Sequence, residues 1–384
     1  MTHRRRMTHR RPPSDRTGHL AAGWAATYGM LALLWLSTGR GVPFGSADPD
    51  GGANLLRTVP PDLAAAVSAA VLLGTAVAAF AMTGPAAVRL RGAPRALLLT
   101  FGWAVAAVLL VVVPDSRLLA LLGYAPVLII GAPFGWFDVD YGSVFTWPLA
   151  NQVWCLVGGT LLARTVLAWQ RRTAGVCETC GRRPNRSGWT SPESAARWGR
   201  WATWTAAVIP ALYAVTRLAW VAGIPLGISD SFLDTLRDTG GLAAAAGLGG
   251  FAVVGSILTL GLIQYWGEVF PRWMIGLAGR RVPINLAFVP AMAVAVLATS
   301  AGLGFLSTPA LLDMTGGWNF ASLPVLLWPL WGVALGAAAV AYRLRRRGPC
   351  RDCDEVGPIE SGGGGQLADQ MAALRAVANV THAQ

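Results

Sequence analysis

The chain has 384 residues, 54% of them hydrophobic and only 13% charged. Soluble domains carry about 25% charged residues, so this composition excludes an ordinary soluble enzyme. The net charge is +12 and all 31 basic residues are Arg, but they punctuate long apolar runs instead of coating a polar domain. That excludes a nucleic-acid footprint and indicates a polytopic membrane protein whose first partner is the lipid bilayer.

The first 16 residues hold six Arg and precede an apolar run, Leu20–Leu36. A signal peptide would end in small residues at a cleavage site; this run ends in Ser37-Thr-Gly-Arg-Gly41 and reads as a retained first helix with a cytoplasmic N-terminus. Met7 repeats the Met1-Thr-His-Arg-Arg context and is a second candidate start. His3, His9 and His19 lie in or beside this segment and His382 near the other end, so imidazole chemistry within the bilayer is not expected.

Seven further runs are long enough to cross a ~30 Å hydrocarbon core. They are Leu63–Met82, Ala96–Val113, Trp147–Trp169, Trp201–Ile224, Leu242–Trp266, Ile284–Phe305 and Ser322–Tyr342. Leu118–Phe134 is shorter and contains Pro126 and Pro133. With eight spans and an inside N-terminus, the inside segments hold 25 Arg and the outside loops 4. If Leu118–Phe134 also crossed, Arg343 to Arg347 would face outward, so it is expected to be a re-entrant or interfacial segment on the outer side.

The chain reads as written twice. Gly41-Val-Pro-Phe-Gly45 ends the first span and Gly223-Ile-Pro-Leu-Gly227 the fifth, 182 residues apart. Arg89-Leu-Arg-Gly-Ala-Pro94 and Gly279-Arg-Arg-Val-Pro283 join the second to the third span and the sixth to the seventh. The fourth and eighth spans both end in Arg-rich segments with a Cys-x-x-Cys, Cys177/Cys180 and Cys350/Cys353, 173 residues apart. Four spans per half make the repeats parallel, related by a pseudo-two-fold along the membrane normal. The expected fold is therefore all-α with eight transmembrane helices: a tail (1–18), a first repeat (19–181), a linker (182–199), a second repeat (200–354) and a flexible tail (355–384).

Two Cys-x-x-Cys pairs on the cytoplasmic side supply the four thiolates of a tetrahedral structural zinc site. Cytoplasmic thiols stay reduced, which disfavours disulfides. A dithiol redox centre is the first rival, without its usual βαβ context; four free cysteines, or pairs completed by another subunit, are the second. Cys155 lies inside the fourth span and reads as a small apolar packing residue.

Ionisable residues inside spans are few. Arg217 lies toward the outer end of the fifth span and reads either as snorkelling or as a contact to an anion or lipid headgroup. Asn151 and Gln152, in the outer part of the fourth span, are candidates to line a cavity or bond another helix. Glu268, in Trp266-Gly-Glu-Val-Phe-Pro-Arg-Trp273, is expected to pair with Arg272 or with Arg residues of adjacent loops.

That motif, followed by Gly279-Arg-Arg-Val-Pro283 and the Arg-rich Cys-x-x-Cys ends, resembles a group of actinobacterial integral membrane proteins across most of the chain. The resemblance implies an architecture and no mechanism. After Gly362 to Gly365, Leu367–Val377 reads as a short helix able to dock a cytoplasmic protein partner or the inner leaflet. Three functions fit: a permease-like protein handling a lipid or small molecule between the repeats, a scaffold recruiting partners through zinc knuckles and tail, or a lipid-modifying membrane enzyme. For the last, only outer Asp residues such as Asp138, Asp140 and Asp230 offer acid–base groups, and these read as loop-solvating. No catalytic residues are assigned.

Overall fold

The computed structural model describes residues 13–131, 145–177, 180–181, 188–308 and 323–348. Cys350, Cys353, Asp138, Asp140 and the tail helix at 367–377 lie outside them. Of the described residues 75% are helical, and none is in a strand.

Eleven α-helices are described. The first half holds α1 (Pro13–Thr38), α2 (Pro61–Thr83), α3 (Gly92–Ala107, prolonged by a π-helical turn, Val108–Val112), α4 (Ser116–Gly131) and α5 (Trp147–Thr173). The second holds α6 (Pro192–Val221), α7 (Asp230–Asp238), α8 (Gly241–Leu260), α9 (Ile284–Leu306), α10 (Leu323–Leu326) and α11 (Trp328–Arg345). Seven of them, α1, α2, α3 with its π turn, α5, α6, α8 and α9, are long and apolar enough to cross a membrane. Their apolar residues go all round the helix, so large side chains such as Val77 and Phe80 stay exposed, as lipid contact requires.

Local chemistry sets the boundaries. Pro stands in the first turn of α2, α5, α6 and α11, where its missing N–H costs nothing. The fifth predicted span begins nine residues early, at Pro192, because Ser191 caps it by accepting from the Ser194 amide at 3.2 Å. The sixth stops at Leu260, before its predicted aromatic end. The eighth predicted span is broken at Leu327 into α10 and α11. Pro329 explains the break, since its ring excludes the carbonyl that would continue a helix from α10. At Leu118–Phe134, expected to be re-entrant or interfacial, residues 116–131 form α4, a 16-residue helix shorter than the seven, and 132–134 lie outside the described residues.

Within the first half α1 packs on α2 and α5, and α3 on α5; within the second, α6 packs on α8 and α11, and α9 on α11. The first-half core is rich in large side chains, with Trp24, Tyr28, Trp35, Met82 and Trp169 buried. The halves meet where α9 lies against α4 and the π turn, through Leu118, Leu149 and Leu297. Ser300 adds a hydrogen bond to the Pro114 carbonyl at 2.5 Å. We call the end where α1 begins and α5 and α11 finish the arginine-rich end.

Candidate functional site

Polar groups concentrate at three places, and the first is the arginine-poor end of the first half. Pro148 starts α5 and sets Asn151 and Gln152 one turn into it. Gln152 grips the turn between α3 and α4 from both sides. Its Nε2 donates to Asp115 Oδ2 at 2.8 Å, and its Oε1 accepts from the Asp115 amide at 3.2 Å. Asp115 in turn binds Arg117, 2.6 Å away, and Arg117 pairs also with Asp48 from the loop after α1. Both carboxylate side chains are only 3% exposed. Burial works against the Arg117 cation, but hydrogen bonds to Asp115 and Asp48, and their charges, prevail and hold its pKa above the usual arginine range. Asn54 completes the cluster, donating to the Val113 carbonyl at 2.9 Å.

Asn151 faces the other way, accepting from the Tyr28 hydroxyl of α1 at 2.5 Å. Its Nδ2 is buried with no hydrogen-bond partner. Asn151 thus ties helix α1 to α5, and Gln152 ties the turn between α3 and α4 to α5. Asp48, Asp115 and Arg117 are not singled out in sequence. They come from two separate segments, and only the Asp115-Ser-Arg117 turn, closed by the Arg117 amide on Asp115 Oδ1 at 3.0 Å, left a local signal.

The second place is Arg217, one turn before the end of α6. Its guanidinium carbon lies 4.6 Å from the Tyr213 ring centre and 4.0 Å from that of Trp220. These residues precede and follow it on the same helix face, and Trp220 is fixed by donating to the Leu226 carbonyl at 3.0 Å. No carboxylate pairs with Arg217 among the described residues, and its NH1 is buried without a hydrogen-bond partner.

The third is the arginine-rich end of the second half. Glu268 pairs with Arg345, the last residue of helix α11, at 3.3 Å. The Trp266–Val282 segment closes on itself: the Phe270 amide donates to Arg280 and the Val282 amide to Glu268, at 3.0 and 2.9 Å. Arg345 donates to the Leu262 carbonyl, Tyr342 to Gly267 and Arg346 to Val282, at 2.6, 2.8 and 3.0 Å. The signature motif is thereby fastened to α11. Trp273 and Ile275 remain exposed at its tip.

Beside this lie Cys177 and Cys180, half-buried. The Gly181 amide donates to the Cys177 carbonyl at 2.8 Å, and Gly181 has φ 69°, which closes the turn. Arg347, just past α11, donates to the carbonyls of Cys180 and Thr190 at 2.7 and 2.8 Å.

No protein-family model, curated protein or solved structure matches the chain. Fold and composition define its class: a multi-pass α-helical integral membrane protein.

Proposed function

We propose that the chain is a permease-like protein of the bacterial cell membrane that handles an anionic lipid or small molecule, built from two parallel four-span repeats with both termini cytoplasmic. The observation that carries the functional reading is Arg217. A guanidinium near the end of a membrane span, held between two rings, with no carboxylate and a buried unmet N–H among the described residues, lacks there the partner that such a group needs. A phosphate or carboxylate on the ligand supplies it.

Several observations support the repeat. The same three packings recur in each half if α10–α11 stands for the eighth span. Gly41 and Gly223 have φ of 87° and 83°, and Gly45 and Gly227 both 76°. Trp147-Pro-Leu and Trp328-Pro-Leu, a repeat easily overlooked in the sequence, open α5 and α11. The resemblance to actinobacterial membrane proteins fits this placement.

A structural zinc on Cys177, Cys180, Cys350 and Cys353 would clasp the repeats. The turn at Gly181 suits a metal knuckle, and the Arg347–Cys180 contact brings the chain within about 10 Å of the first pair three residues before Cys350. The four thiolates would close the ion's coordination and leave no open position for chemistry. Purified protein is expected to carry stoichiometric zinc that is lost in Cys177→Ser; metal-free wild type would exclude the clasp.

The functional reading is tested by native mass spectrometry of the full chain in neutral detergent. Wild type is expected to retain an anionic phospholipid or small anion that Arg217→Gln loses; equal retention would leave Arg217 a snorkelling residue. A scaffold is the second reading, favoured by bonds that join the halves at both ends. Arg57 donates to Ser307 Oγ at 2.7 Å at one end, and Arg347 to Cys180 at the other.

A further inference from the structure

We infer that a cleft between α6 and α11, at the arginine-rich end, binds a phosphate group. The cleft has a volume of about 300 Å³, and its lining includes Gly199, Arg200, Thr203, Ala341, Tyr342 and Arg345. Small residues bring the two helices together there: a Cβ built on Gly199 would lie 2.5 Å from that of Ala341. The space beside this crossing is at the low end of the size of small-ligand sites, roughly 300–1,000 Å³.

Its polar lining is cationic and incompletely used. Arg200, on α6, has no hydrogen bond or ion pair among the described residues. Arg345, on α11, spends NH2 on the Leu262 carbonyl and on Glu268, while its Nε and NH1 make no hydrogen bond among the described residues. Tyr342 already donates to Gly267, and Thr203 to the Gly199 carbonyl at 2.8 Å. Two guanidinium forks from two helices suit a tetrahedral oxyanion, which offers oxygens to both; one carboxylate is satisfied by one fork. Glu268, the carboxylate in contact with Arg345, competes with the ligand.

Position favours a lipid phosphate. Trp201 and Trp204, beside Arg200, are exposed as aromatics at a headgroup boundary are. The site stands apart from Arg217, which lies seventeen residues along α6, about 25 Å at helical rise.

The test uses the full chain in neutral detergent, in an Arg217→Gln background so that the two arginine sites are read separately. It is titrated with dihexanoyl-phosphatidylglycerol, inorganic phosphate and dihexanoylglycerol, which lacks the phosphate. Phosphatidylglycerol is expected to bind, with affinity about tenfold weaker in Arg200→Gln and stronger in Glu268→Gln. Among the described residues Arg200 holds nothing else, so its variant should keep the parental melting temperature even where Arg345→Gln fails to fold. Phosphatidylglycerol binding without inorganic phosphate binding assigns a lipid headgroup; comparable binding of both assigns free phosphate. Binding of dihexanoylglycerol as tight as that of phosphatidylglycerol, no binding in any arm, or an unchanged affinity in Arg200→Gln would overturn the inference.

Discussion

The loops that follow α1 and α6 begin alike and end differently. Each opens on Gly-x-Pro-x-Gly with both glycines left-handed at nearly equal φ. In the first, the charges are drawn inward: Asp48 reaches Arg117, which Asp115 and Gln152 hold in place. In the second, Ser229 caps α7 by accepting from the Phe232 amide at 3.2 Å, and the charges stay outside. Arg237 and Asp234 pair at 2.7 Å with side chains 46% and 63% exposed. A shared backbone start therefore does not determine where the charges go; a tertiary partner does. The first half draws its loop ion pair inward, whereas the second leaves Arg217 without a carboxylate among the described residues.

The largest expected effect breaks the sealed side. Asp115→Ala leaves Arg117 and Gln152 facing a buried gap, and should cost about 3–5 kcal/mol in denaturant unfolding of the detergent-purified protein. The raised pKa of Arg117 makes its contribution fully present below the usual arginine range, and lost only as pH climbs through the elevated value. The cost of Asp115→Ala should therefore be the same at about pH 6 and pH 9.

Next come the helix interiors. A Cβ on Gly158 would lie 2.1 Å from the Trp24 ring, whereas around Gly250 of α8 nothing lies within 4 Å. Gly158→Ala should cost about 1–3 kcal/mol, and Gly250→Ala should be neutral or stabilising, as melting temperatures would report. Gly41→Ala and Gly223→Ala test the shared backbone, and each should cost about 1–2 kcal/mol. Unequal costs would mean that the two turns are not equivalent. Smallest is Asp234→Ala, expected within about 0.5 kcal/mol because its pair is exposed and screened.

Much of the bundle was legible because apolar length and Pro or Gly punctuation are local. Helices α1, α2, α5 and α9 lie close to the expected spans, and the Gly-x-Pro turns appear at both predicted places. What escaped depends on contacts distant in sequence or on small local signals. Pro329 divides the last apolar run, and Ser191-Pro-Glu starts α6 inside the presumed linker. The Asp48–Arg117 pair joins residues 69 apart, and no periodicity foretells it. Glu268 was visible as an ion-pairing residue, but fastening of the motif loop by Tyr342, Arg345 and Arg346 required α11 to be in place. Arg217 was visible as an anomaly; that no carboxylate pairs with it among the described residues was not.

The central claim is that two parallel four-span halves each enter and leave on the cytoplasmic side. It is tested most directly by fusing green fluorescent protein or alkaline phosphatase after residue 187 and after residue 384 in a bacterial host. Four spans per half predict fluorescent, phosphatase-inactive fusions at both positions, with the reverse for fusions after residues 52 and 234. A phosphatase-active fusion at 384 beside a fluorescent one at 187 would mean that α10–α11 does not cross the membrane, and would contradict the duplicated architecture.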